Sequence, residues 1–412
     1  MDRISGLPDD VVVKILSFVP TKVAVSTSIL SKRWEFLWMW LPRLEFISRK
    51  PELRDFIDRK LPLHRAPIIE SLRLDLYRPF IKPEDIRRWI EIAVSRHVRE
   101  LKIDYYSENE NIFPSSLFTC KSLVTLKLRN VTLMDIPSMV CLPSLKTLQL
   151  ETVKFVDEEI LQELLSICPV LEDLLVDCED DENMKEFTII VPSLLSLSLY
   201  IPDDWFLDGY EIDTPSLNYL KLEDWNYLYH NSLIKNLPKL REAYVDVRPF
   251  LLKGVIESIT SVKHLTICSE RVYGDGFVFK ELEHLNLCVC REDSSNLLGQ
   301  LLKDSPNLRI LDISVVADHG TDERNGMVSW NQPNFVPECL LSSLQTLKWS
   351  QYFGRPQDRD IAVYILKNAR HLEMATILAD SYEHHVPTLQ MIKELALSPR
   401  ASSKCQLVFV ED

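Results

Sequence analysis

The chain has 412 residues, 46% hydrophobic and 26% charged, with only nine glycines, so a large core is within reach and Gly-rich phosphate loops are disfavoured. Sixty-one acids against 47 bases leave a net charge of -14, which argues against wholesale binding to nucleic acid or an anionic membrane, since both need a basic footprint. Nine cysteines without framework spacing, no leader-like start and no apolar run near about 18 residues point to a reducing compartment, the nucleus and/or cytoplasm.

The first 50 residues differ from the rest. They hold eight bases against five acids, a net +3, which leaves -17 for the remainder. Leu7-Pro8-Asp9-Asp10 opens a helix, because Pro suits the first turn and acids oppose the helix dipole favourably. Val12, Ile15, Leu16 and Val19 recur at helical spacing, and Pro20 ends the element. Thr21 is placed to cap a second helix carrying Val25, Ile29 and Leu30, which Trp34 closes. So short a segment cannot bury a core of its own. Spacing alone leaves two readings open: a helical cap on the downstream residues, or a module that another chain covers.

From Ile69 onward the pattern apolar-x-x-apolar-x-apolar repeats. Its first apolar positions are Ile69, Val98, Leu123, Leu145, Leu171, Leu194, Leu217, Leu240, Val262, Leu282, Leu308 and Leu344, mostly 20 to 29 residues apart. Each copy predicts a short strand with alternate residues inward, and stacking of copies supplies the core. Thr125, Lys127, Thr147, Gln149, Ser196, Ser198, Tyr219, Lys221, His264, Thr266, His284 and Asn286 are then the outward residues. Helices are predicted over Pro83–Val94, Asp157–Cys168 with Asp157 as cap, and Ser294–Lys303. The Asn or Cys expected three positions past the last leucine of a copy is mostly replaced, by Val131, Val153, Pro202 and Trp225, with Cys290 an exception. An irregular, less tightly curved array is expected.

The last 80 or so residues change character. After Val336-Pro337-Glu338-Cys339-Leu340 and Leu344 to Trp349, the pattern predicts a helix from Asp358 or Asp360, a strand Leu372–Leu378, a helix Thr388–Leu397 and a strand Cys405–Val410. This reads as a capping module that seals the end of the array.

Candidates for chemistry are few. His384-His385 is the one histidine pair, and neighbours in sequence do not share a helix face, so no metal site is assigned to it. Cys288-x-Cys290 falls on a repeat strand and reads as structural, with one residue facing in and one out. The acid-rich Asp177–Glu186 lacks the spacing and central Gly of a calcium loop. No nucleophile sits in a recognisable motif, so no catalytic residue, cofactor or metal is assigned.

Leu7-Pro8-Asp9-Asp10, Lys14-Ile15-Leu16-Ser17, Pro20-Thr21-Lys22, Ala24-Val25 and Leu30-Ser31-Lys32-Arg33-Trp34 closely resemble the F-box, the helical motif that docks on the Skp-type adaptor of cullin–RING ubiquitin ligases. With the repeats and the Val336 to Leu340 tail, the whole chain resembles the plant F-box/LRR/FBD family. The resemblance implies an F-box over 1–48, leucine-rich repeats over 60–330 and an FBD domain over 331–412. The implied fold class is α/β: an N-terminal helical F-box, an irregular leucine-rich-repeat solenoid and a C-terminal α+β cap. It further implies that Leu7, Pro8, Ile15, Leu16, Val19, Pro20, Val25, Leu30, Ser31, Lys32 and Trp34 lie in or support the adaptor interface. An unknown target protein is then the partner of the array, with no role for nucleic acid or membrane. The alternatives are a plain interaction scaffold with a helical cap, and a small-ligand sensor of the hormone-receptor type. The second lacks a basic cluster on the strands.

Overall fold

The computed structural model describes residues 6–48, 50–77, 80–107, 110–178, 184–203, 205–269, 271–290, 294–315, 330–379 and 388–411. All twelve repeat positions named above are buried, none more than 2% exposed. A strand begins two residues after each of them, at 71, 100, 125, 147, 173, 196, 219, 242, 264, 284, 310 and 346. The strands alternate buried and half-exposed residues, as in Ser71–Leu76 and Ser196–Ile201, so one face carries the leucine stack and the other meets solvent. Burial of each such Leu or Ile contributes roughly 1.5–3 kcal/mol.

The chain forms two compact units. One runs to Leu195 and includes Asp204–Thr214, and the other holds Ser196–Asp203 and the chain from Pro215. In the first, parallel strands Arg43–Ser48, Ser71–Leu76, Glu100–Asp104, Thr125–Arg129, Thr147–Phe155 and Asp173–Cys178 stack in register, so that Arg43, Ser71, Glu100, Thr125, Thr147 and Asp173 form one row. In the second unit the row runs Ser196, Tyr219, Glu242, His264, His284, Ile310, Thr346, Met374 and Gln406, again through parallel pairs.

Two features extend the expected array. Arg43–Ser48, placed in the head by the sequence, is a ladder strand, with Leu44 and Phe46 buried. Met374–Ala379 and Gln406–Glu411 continue the same parallel ladder, so the tail is built on the geometry of the repeats as well as closing them.

The return segments vary. Helices α1 (Asp9–Leu16), α2 (Thr21–Ser26), α3 (Glu52–Lys60), α4 (Pro83–Ser95) and α5 (Ile160–Ser166) belong to the first unit. Helices α6 (Pro249–Ile259), α7 (Ser294–Asp304), α8 (Glu338–Ser342), α9 (Pro356–Asn368) and α10 (Thr388–Ala396) belong to the second. α4, α7 and α10 match their predictions to within a residue. α5 is shorter than expected because Asp157 does not cap it; its carboxylate turns back on the Glu159 amide at 3.0 Å. Where no helix forms, Glu186–Ile190 and Gly209–Asp213 pair in parallel as a return sheet. There Phe187 stacks between Trp205 (5.9 Å) and Tyr210 (5.5 Å). In place of an Asn ladder, Val131 is buried just after its strand and Val153 is buried within Thr147–Phe155.

Candidate functional site

Helix α1 is apolar on two sides. Val12 and Leu16 face inward and are buried, while Val11, Ile15 and Phe18 repeat at i, i+4, i+7 on the outside, 38%, 43% and 78% exposed. A helix of a globular protein needs one apolar stripe, so the second stripe is the unusual feature. Arg33 ties the end of the head to its start: its guanidinium donates to Asp9 Oδ1 at 2.7 Å and to the Leu7 carbonyl. This links Leu7-Pro8 with the Ser31 to Trp34 segment across 24 residues, and it is a geometric reason for the arginine inside that motif.

Helix α2 does not begin as expected. Pro20 is its N-cap and no side chain caps it. Thr21 is buried instead, and its hydroxyl accepts the Glu45 amide at 2.8 Å, fastening α2 to the first ladder strand. The helix stops at Ser26 and a 3-10 turn, Thr27–Ile29, comes next, so Ile29 and Leu30 are not on a helical stripe at all. They project outward, 88% and 65% exposed. A second 3-10 segment, Trp34–Trp40, buries Trp34, Leu37, Trp38 and Met39 and leaves Phe36 and Trp40 nearly half exposed.

The eleven motif residues therefore divide. Pro8, Ile15, Val19, Pro20, Leu30, Ser31 and Lys32 are exposed, Leu7 is half-buried, and Leu16, Val25 and Trp34 are buried beneath them. Val11, Phe18, Val23, Phe36 and Trp40 join the exposed apolar set without having been singled out in the sequence. The second stripe of α1 was visible as a period; the 3-10 geometry of the later residues was not. An apolar surface of this concentration on a chain of net charge -14 needs cover.

The twelve outward strand residues expected to form the second surface are all half-exposed or exposed, and each is followed by a buried residue. Parallel register lines them up in rows such as Lys221, Tyr244, Thr266, Asn286, Asp312 and Lys348. His264 and His284 are adjacent in a parallel row, ring centroids 5.7 Å apart, and His284 Nε2 meets Asp312 Oδ2 at 2.9 Å. The surface is polar and mixed in sign.

The expected chemistry is placed as follows. His384-His385 and residues 179–183 of the acidic stretch lie outside the described residues. The Cys288-x-Cys290 expectation is corrected: the strand ends at Cys288, Cys290 lies just beyond it, and both are buried beside Cys268. Burial pushes the Cys168 and Cys339 thiols up to about 12, so neither is a nucleophile at neutral pH. Among the described residues no helix is long and apolar enough to cross a membrane.

The F-box domain family matches residues 4–46, the LRR repeats of FBD-associated F-box protein At5g56370 match 86–242, and the FBD family matches 332–377. FBD-associated F-box protein At5g38590 of Arabidopsis thaliana is 74% identical over 401 residues, covering 96% of this chain and 98% of that one. FBD-associated F-box proteins At4g10400 and At5g60610, from the same plant, are 58% and 48% identical over 99% and 92% of this chain, and each is covered to 100%. With an F-box at its head, leucine-rich repeats through its middle and an FBD in its tail, the chain belongs to the plant F-box/LRR/FBD protein family.

Proposed function

We propose that the chain is the substrate-recognition subunit of an SCF-type ubiquitin ligase, acting in the nucleus and/or cytoplasm. Its F-box, over 1–48, binds a Skp-type adaptor and through it a cullin–RING ligase. The repeats, over 60–330, hold a target protein, and the FBD, over 331–412, completes the stack. The chain performs no covalent step. It raises the effective concentration of the target at an enzyme that does.

The observation that carries this reading is the apolar head surface, on which Ile15, Val19 and Leu30 stand exposed above buried Leu16, Val25 and Trp34. A stripe of this kind is a helix-and-groove recognition surface, with central anchors and a polar rim. The basic head on an acidic body adds steering toward an acidic adaptor. Full-length protein is expected to co-purify with a Skp-type adaptor, and Ile29→Ser with Leu30→Ser to weaken binding tenfold or more, about 1.4 kcal/mol. Both side chains are largely in solvent, so the melting temperature should hold. Absence of binding by the intact chain, or unchanged binding by the double variant, would overturn the proposal.

The second reading is a non-ligase scaffold whose head is only a cap. It draws support from Arg43–Ser48, which joins the head to the ladder. Leu7→Ala with Pro8→Ala discriminates: loss of adaptor with an intact melt favours the ligase subunit, and unfolding of the repeats favours the cap.

A further inference from the structure

Three thiols converge at the ends of two neighbouring repeat strands in the second unit. Cys268 ends the strand His264–Cys268, Cys288 ends His284–Cys288, and Cys290 lies two residues on. Their sulfur atoms all lie within 4.8 Å of one another, and Cys268 Sγ is 3.3 Å from Cys290 Sγ. The residues are 1%, 0% and 7% exposed, and they form a small cluster of their own with Val315 against it.

Register explains the convergence. Ile267 stands opposite Leu287, which brings the next residue of each strand, Cys268 and Cys288, side by side. Cys290 lies just past the end of the second strand, and its sulfur reaches back to Cys268 Sγ. The cysteines come after Thr266 and Asn286 on the polar side of the sheet, so the leucine stack on the other side does not require them. Asp246 is the ladder partner of Cys268, and Ser314 that of Cys288.

We propose that Cys268, Cys288 and Cys290 bind one soft d10 cation, Cu(I) or Zn(II), as thiolates. Metal–sulfur bonds of about 2.3 Å set thiolates about 3.8–4.0 Å apart in tetrahedral or trigonal geometry, so the sulfurs need move by only about 1 Å. Three sulfurs complete a trigonal Cu(I) site. Zn(II) needs a fourth donor, for which the ladder neighbour Asp246, now accepting Trp225 Nε1 at 2.5 Å, would have to turn toward the thiols. On binding, three S–H bonds break, three metal–sulfur bonds form and three protons leave to solvent; no electron moves. Hydrogen bonding shared with Cys288 and Cys290, which favours the neutral S–H, and burial hold the Cys268 thiol far above its ordinary range. A cation therefore competes with those protons, and affinity rises with pH. The site staples adjacent repeats on the polar face of the sheet.

The test uses full-length protein stripped with a chelator and titrated anaerobically with Zn(II), or with Cu(I) presented in a competing chelator. One equivalent of the preferred ion should saturate the protein, release about three protons and raise the melting temperature. Cd(II) should give a sulfur-to-metal charge-transfer band. Cys290→Ser, at the least buried position, should lose affinity tenfold or more, while Cys339→Ser, which removes a buried thiol elsewhere, should match the unmodified chain. Alkylation mapping gives a readout independent of how the variants fold: the metal should protect Cys268, Cys288 and Cys290 together. No binding of either ion, protection at other cysteines, or equal loss in Cys339→Ser overturns the proposal.

Discussion

Two aspartates stand at the third residue of a helix and titrate in opposite directions. Asp85 in α4 and Asp358 in α9 each accept the amide of the residue before the helix, Lys82 at 3.2 Å and Arg355 at 3.1 Å. Burial pushes both carboxyls up. Asp85 is nevertheless held below its ordinary range, because Arg54 reaches it at 2.6 Å and Arg88 at 3.1 Å. Asp358 has no comparable ion pair among the described residues and is pushed up to about 6. Asp85 therefore contributes stability above the ordinary carboxylate range, and that contribution is lost as pH falls through its depressed value. Asp85→Asn should cost about 1–3 kcal/mol in neutral urea melts and little in acid. For Asp358 the sign reverses: the contribution is full below about pH 4 and lost as pH rises through about 6. Asp358→Asn keeps an oxygen for the Arg355 amide, so it should flatten the pH–stability curve between those values and raise stability at pH 7 by about 1–3 kcal/mol. A curve unchanged from the parent would contradict this.

At the scale of elements, Gly354 shows how the tail is held. It adopts φ +69° before α9, and a Cβ there would lie 2.6 Å from Met391 Cγ. Met391 is a buried anchor of α10, together with Leu395. Gly354→Ala should thus cost about 2 kcal/mol by combining backbone strain with overpacking, and amide exchange should show α10 opening more readily than α9. Elements with two coincident signals were legible in the sequence: α4 has Pro83 at its first position and a stripe of Ile86, Trp89, Ile90 and Ala93, and each of the twelve repeat strands begins two residues after a buried Leu, Ile or Val. α6 was legible in principle, with Pro249 followed by Leu252, Val255, Ile256 and Ile259, but Gly254 interrupts it and the repeat pattern draws attention to the strands on either side. Thr21 misled because a threonine at a helix start reads as a cap, whereas tertiary contact with Glu45 claims its hydroxyl. The three-thiol cluster was hidden for a different reason. Cys268 is 20 residues from Cys288, and only pairing register makes them neighbours.

Across the whole molecule, the repeated offset of two residues means that backbone geometry is shared and side chains vary on top of it. Every outward position has a fixed place in a row, so the outward face can change residue by residue while the leucine positions stay. The head does not stand apart from this scheme. Arg43–Ser48 is at once the last segment of the F-box and the first rung of the ladder, fixed further by the Thr21 hydroxyl. Within the first unit, strand pairing therefore sets the direction in which the opening repeats follow the head, and under the proposed function it sets how they face a ligase. Anyone exchanging heads between such proteins must therefore place the junction beyond Ser48. A cut before Arg43 would transplant the exposed apolar surface but leave behind the strand that orients it.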